Sequence, residues 1–165
     1  MNTGQLMLVV GAMALLSTAI LMMNNSFTDT GKVVLTSKLG INALSVGTSV
    51  FEKAIGKDFD EVTTDSNLQI VSALTPSAQL GLDPGETFPD SVDDVDDYNN
   101  ASFIKTFDQG GTFNVSCKVA YVNATAPGVA VSTPTFHKRI TVLVSAPEMR
   151  DTVKLEYIMS YWFFR

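Results

Sequence analysis

Three patterns of apolar and polar positions follow one another along the chain. Leu6 to Met23 reads LMLVVGAMALLSTAILMM, without a charged side chain. At about 1.5 Å per residue such a run forms a helix of roughly 27 Å, enough to cross the hydrocarbon core of a bilayer. From Thr28 to Gly56 there is no proline. There Lys38, Asn42, Ser45, Ser49 and Glu52 recur at steps of four and three, which is one narrow polar stripe on a helix. The apolar positions fall on two sides of that stripe: Val33, Leu44, Phe51 and Ile55 on one, and Leu35, Leu39, Val46 and Val50 on the other. One face is expected to pack on the chain's own head and the other on neighbours. Gly40 and Gly47 each cost about 1 kcal/mol relative to alanine inside a helix, so they predict a close approach or a bend. Gly56, flanked by Lys53 and Lys57, supplies a C-terminal stop. The expectation is one helix from about residue 3 to 56. The alternative is a break near Asn24-Asn25-Ser26 that separates a membrane anchor from a core helix.

Beyond Gly56 the period changes to two and turn residues become frequent. Thr112 to Val122 places Phe113, Val115, Cys117, Val119 and Tyr121 on one face. Lys138 to Ser145 does the same with Ile140, Val142 and Val144. Thr152 to Phe164 sets Val153, Leu155, Tyr157, Met159, Tyr161 and Phe163 on one side, leaving Ile158, Trp162 and Phe164 on the other as a candidate interface. The six residues Ala-Pro-Glu-Met-Arg-Asp between the last two runs are short enough for a hairpin. Leu68 to Leu74 and Ser102 to Phe107 are shorter strand candidates, and Ala124 to Thr135 reads as a surface loop. The fold class expected is α+β: a long N-terminal α-helix packed on a C-terminal antiparallel β-sheet head. The division is residues 1–56 for the helix, apolar over about 5–27 and amphipathic over about 28–56, and residues 57–165 for the head.

Composition narrows the function. The chain has 165 residues, 45% of them hydrophobic and 17% charged, with a net charge of −6. A mean hydropathy of +0.19 fits a soluble domain with an added greasy segment. No cluster of Lys or Arg provides an electrostatic footprint for nucleic acid. Cys117 is the only cysteine, which excludes an intrachain disulfide and every Cys-x-x-Cys pattern. The first ionisable side chain is Asp29 and the first basic one Lys32. The basic flank of an ordinary signal anchor is therefore missing.

Candidate chemistry is sparse. His137, the single histidine, stands beside Lys138 and Arg139 and reads as a surface residue at the start of a strand, and Cys117 as an inert buried thiol. No Gly-x-Ser-x-Gly nucleophile elbow occurs, so no catalytic residue and no small-molecule substrate are expected. The acidic run Asp90, Asp93, Asp94, Asp96 and Asp97 offers the hard oxygens that calcium takes, although the spacing is not that of an EF-hand. The competing reading is a solvated acidic turn whose carboxylates cap local backbone.

The order of hydrophobic helix, amphipathic continuation, variable region and terminal antiparallel sheet resembles type IV pilins and pseudopilins. Asp93 to Asn99 (DDVDDYN) before a strand, and the hairpin ITVLVSAP then DTVKLEY, look like the minor-pilin relatives of mannose-sensitive haemagglutinin pili. The resemblance implies a subunit that sits in the inner membrane before assembly and then enters a helical homopolymer at the cell surface, an extracellular filament. In that setting Leu6, Leu8, Val9, Val10, Met13, Leu15, Leu16, Ile20 and Leu21 form the assembly helix, and Gln5 is an interface residue facing a neighbour's terminal amine. Gly4-Gln5 is the nearest match to a processing junction and Glu52 is the first glutamate. A route to assembly other than standard leader cleavage is therefore expected. The alternatives are a pseudopilin or minor subunit of a secretion or pilus machine, and a membrane-anchored extracytoplasmic binding module.

Overall fold

The computed structural model describes residues 2–64, 68, 70–108 and 110–164. Helix α1 runs over Thr3–Ile55 without interruption. Asn24-Asn25-Ser26 lies within it, so the alternative of two separate helices is not what the chain adopts. Nothing in that tripeptide removes a backbone donor as proline would. The hydroxyls that normally compete with helical bonding are turned back onto the same helix: Ser17 Oγ donates to the carbonyl of Met13 at 2.8 Å, Thr28 Oγ1 to that of Asn24 at 3.0 Å, and Thr30 Oγ1 to that of Ser26 at 2.8 Å.

The chain divides into two compact units, residues 1–38 and residues 39–165. In the first, the described side chains are all exposed. In the second, the rest of α1 lies on a five-stranded antiparallel sheet. The strands are β1 (Ser102–Phe107), β2 (Gly111–Asn123), β3 (Ala126–Ala130), β4 (His137–Ser145) and β5 (Val153–Ser160). Their order is β1-β2-β4-β5, with β3 paired to the far end of β2. Leu39, Ala43, Val46, Val50 and Ala54, spaced by four, three, four and four, bury one stripe of α1. They meet Val115 and Cys117 of β2, Ile140, Val142 and Val144 of β4, and Met159 of β5. Leu44 on the other side stays exposed, as the two-faced pattern requires. Gly47 is where the sheet comes closest: a Cβ there would lie 2.1 Å from Leu155 Cδ1. Gly40 has open space around it, so close packing explains one helical glycine and not the other.

A smaller cluster closes one end of the head. Phe59, Leu74, Leu80, Tyr121 and Tyr161 pack together, and the rings of Phe59 and Tyr161 meet edge to face at 5.7 Å. This cluster explains two departures from the alternating pattern. The last strand stops at Ser160 and turns into a short 3-10 segment, Tyr161–Phe164: the amide of Tyr161 still bonds the carbonyl of Phe136, the next pair in the β4–β5 register, while its ring packs into the cluster. Leu68 to Leu74 is not a strand: Val71–Ala73 forms a 3-10 turn that delivers Leu74 to the cluster, with residue 69 outside the described residues. The expected surface loop at 124–135 is exposed over β3 but contains that short strand.

Core and edge positions should separate cleanly in stability. Ile140→Ala removes a fully buried side chain and is expected to cost about 2–5 kcal/mol, whereas Ile104→Ala, at an exposed edge position, should stay within about 0.5 kcal/mol of the parent. Urea unfolding of the two variants measures this.

Candidate functional site

The densest polar chemistry of the head lies where three distant segments meet. The chain leaving α1 pairs with the acidic loop: the amide of Asp58 donates to the carbonyl of Asp93, and the amide of Val95 to that of Asp58, both at 3.0 Å. This parallel bridge brings Asp60 and Asp96 to the inner end of β4, where Lys138 is fully buried. Lys138 Nζ donates to Asp96 Oδ1 at 2.5 Å, Asp60 Oδ2 at 2.9 Å and the carbonyl of Phe59 at 2.6 Å. It also stands 4.7 Å from the ring centre of Phe59 and 5.3 Å from that of Tyr121.

Each carboxylate in this cage has its own set of donors. Asp60 accepts from the amide and hydroxyl of Thr75, and the Tyr121 hydroxyl lies 3.0 Å from its Oδ2. Burial pushes Asp60 up, but the charge and hydrogen bond of Lys138, with the bonds from Thr75, outweigh it and hold the group below the ordinary carboxylate range. Asp96 goes the other way: burial raises it, against the pull of Lys138. Asp94 is raised to about 9, first by burial and then by the charge of Asp96. Asp94 Oδ1 also accepts the amides of Asp96 at 2.7 Å and Asp97 at 3.2 Å, which is an Asx turn.

Asp97 caps the loop in return. Its Oδ2 accepts the amides of Asp93 and Asp94 at 3.1 and 3.2 Å. Burial, followed by its hydrogen bond with the Glu86 carboxyl, raises it to about 7. The five aspartates of the acidic run therefore do not form one cage. Asp96 turns toward Lys138, Asp94 holds the amides of its own loop, and Asp90 is exposed. The carboxylates that converge within 4.8 Å of one another, among the described residues, are those of Asp93, Asp97 and Glu86, the last outside the acidic run. Asp94 and Asp97 cap local backbone, and with Asp96 they are buried rather than solvated.

The remaining candidate residues lie elsewhere. Gln5, Leu6, Leu8, Val9, Val10, Met13, Leu15, Leu16, Ile20 and Leu21 are all exposed on α1, which is long and apolar enough to cross a membrane. Ile158 and Trp162 are exposed, and the Trp162 ring packs against Phe136 and Tyr161 at 5.5 and 5.6 Å. The side chain of Phe164 lies outside the described residues. His137 Nδ1 is 2.7 Å from Ser160 Oγ, which ties the starts and ends of β4 and β5 together. Cys117 is buried, and burial pushes its thiol up to about 11.

No protein-family model matches the chain, and no curated protein or solved structure is significantly similar to it. Assignment of a class therefore rests on this chain's own residues.

Two outcomes follow from the cage. Lys138→Met strands two buried carboxylates without their cation and should cost about 3–5 kcal/mol in unfolding free energy. Asp97 binds its proton more tightly folded than unfolded, so its stabilising contribution is present at low pH and fades as pH rises from the ordinary 3.8 through about 7. Stability from urea titrations should fall across that window, by at most about 1.4 kcal/mol per pH unit from this group. In Asp97→Asn the slope should be shallower, since the amide keeps both an acceptor for the backbone and a donor for Glu86; parallel curves would count against the assignment.

Proposed function

We propose that the chain is a pilin-like structural subunit of an extracellular filament, assembled through a core of bundled apolar N-terminal helices. The observation that carries this reading is the stretch from Leu6 to Phe27 on α1, whose side chains are uncharged and exposed, on the same helix that supplies the head's core from Leu39 onward. A soluble chain rarely leaves so much contiguous apolar surface without a partner. Burying nine side chains such as Leu8, Met13 and Leu16 is worth about 1.5–3 kcal/mol each. In water that gain is comparable to or larger than the roughly 4–15 kcal/mol cost of bringing copies together.

The segment suits both a bilayer and a helix bundle, because every backbone polar group is satisfied within its own helix. Gly11, Ala12, Ala14, Ser17, Thr18 and Ala19 keep part of the surface small, so that neighbouring helices approach closely. The subunit would rest in a membrane before assembly and exchange lipid for sister helices on joining the polymer. The exposed pair Ile158 and Trp162 offers a second contact between heads.

Electron microscopy of the protein purified from its native host tests the reading. Long filaments are expected, while detergent-bound monomers alone would exclude it. Leu16→Asp puts a charge into the proposed bundle and should abolish filaments. The melting temperature of the head should stay unchanged, since residue 16 contributes nothing to the head's core.

A further inference from the structure

The lysine cage holds the reactants of a condensation as well as the partners of an ion pair. An amine and two carboxyl groups meet with separations of 2.5 and 2.9 Å, and none of the three is reached by solvent to more than a trace. Aromatic rings at 4.7 and 5.3 Å cover the amine. A third carboxyl, Asp94, lies beside one of the two, its Oδ1 accepting the backbone amide of Asp96 at 2.7 Å. We propose that Lys138 and Asp96 join through an intramolecular isopeptide bond, formed without any other protein, which links β4 covalently to the loop that precedes β1.

The roles follow from the donor sets. Asp60 is the ionised carboxylate in hydrogen-bond reach of Nζ, at 2.9 Å, and is therefore the group placed to take a proton from Nζ and free the nitrogen lone pair. The lone pair attacks Cγ of Asp96. Asp94, a buried acid at neutral pH, gives its proton to the Asp96 oxygen as the tetrahedral centre forms. On collapse the new Nζ–Cγ bond stays and one Cγ–O bond breaks. The nitrogen yields a second proton to Asp94, and the proton held by Asp60 leaves with the departing oxygen. One ammonium and one carboxylate have become one amide and one water, Asp60 and Asp94 are restored, and no oxidant or activating nucleotide is consumed.

Amide formation from free acid and amine is slow in water because the encounter is rare and water reverses it. Fixing both groups replaces that encounter with an effective molarity of up to about 10⁵–10⁸ M. The aromatic lining then keeps the expelled water from returning. Asp96 is the acceptor rather than Asp60 because its oxygen makes the shorter contact to Nζ and its carboxyl is the one that Asp94 protonates.

Mass spectrometry of the full-length protein, digested with trypsin after denaturation, decides the matter. Trypsin releases 58–105, which contains Asp96, separately from 119–138, which ends at Lys138. The bond predicts one species in which 58–105 is joined to 119–139, lighter by one water than the sum of the two, because an amidated Lys138 is no longer cut. Fragmentation should place the link on Asp96. Asp96→Asn should form the same bond with loss of ammonia instead of water, and Lys138→Arg should give only unlinked peptides. Free 119–138 in the parent protein, or a link that maps to Asp60, would overturn the proposal. Because the measurement is made on denatured parent protein, a variant that fails to fold does not affect its outcome.

Discussion

A single buried amine organises the head. Lys138 has no access to water, so its charge is tolerable as the chain folds only where carboxylates and a carbonyl replace the lost hydration. Those partners come from residues 59, 60 and 96, far from it in sequence. The segment that leaves α1, the loop ahead of β1 and the start of β4 must all be in place before the charge is satisfied. The bridge between Asp58 and Asp94, the Asx turn of Asp94, the capping of the loop by Asp97 and the position of Thr75 are the scaffolding that this requirement imposes.

The period of the sequence carried most of the architecture. A helix of period 3.6 with two apolar faces is distinctive, and so are strands in which Phe113, Val115 and Cys117, or Ile140, Val142 and Val144, alternate with polar residues. The errors lie where tertiary demands override local pattern. Thr152 to Phe164 alternates throughout, yet the backbone leaves the extended conformation at Tyr161, whose ring is taken up by an aromatic cluster. Leu68 to Leu74 has strand-like composition, but it bends to bring Leu74 into the same cluster.

The candidate site was legible only in half. The acidic run is conspicuous, and capping is a local property, so the turn chemistry of Asp94 and Asp97 follows from spacing. Their partner does not follow from the local pattern, in which Lys138 stands between two other polar residues, His137 and Arg139. One signal was available: Lys138 shares its parity with Ile140, Val142 and Val144, so it has to point inward. A lysine on the inner face of a strand requires buried carboxylates somewhere in the chain, and the acidic run was the obvious place to look. Asp60 gave no such hint, since its role depends on a bridge between segments that no local pattern encodes.

The hydroxyls of α1 have a mechanical consequence. Ser17, Thr18, Thr28, Thr30 and Thr36 each spend their proton on a carbonyl of their own helix, three or four residues back. What α1 presents sideways from Leu6 to Met23 is then dispersion and shape, without charges or directional bonds that fix one register. Neighbouring helices held in this way can slide past one another by a fraction of a turn at little cost, because each methyl group that leaves one groove enters the next. A cable built from such strands would lengthen under load by slippage between subunits and shorten again when released, while each head keeps its shape.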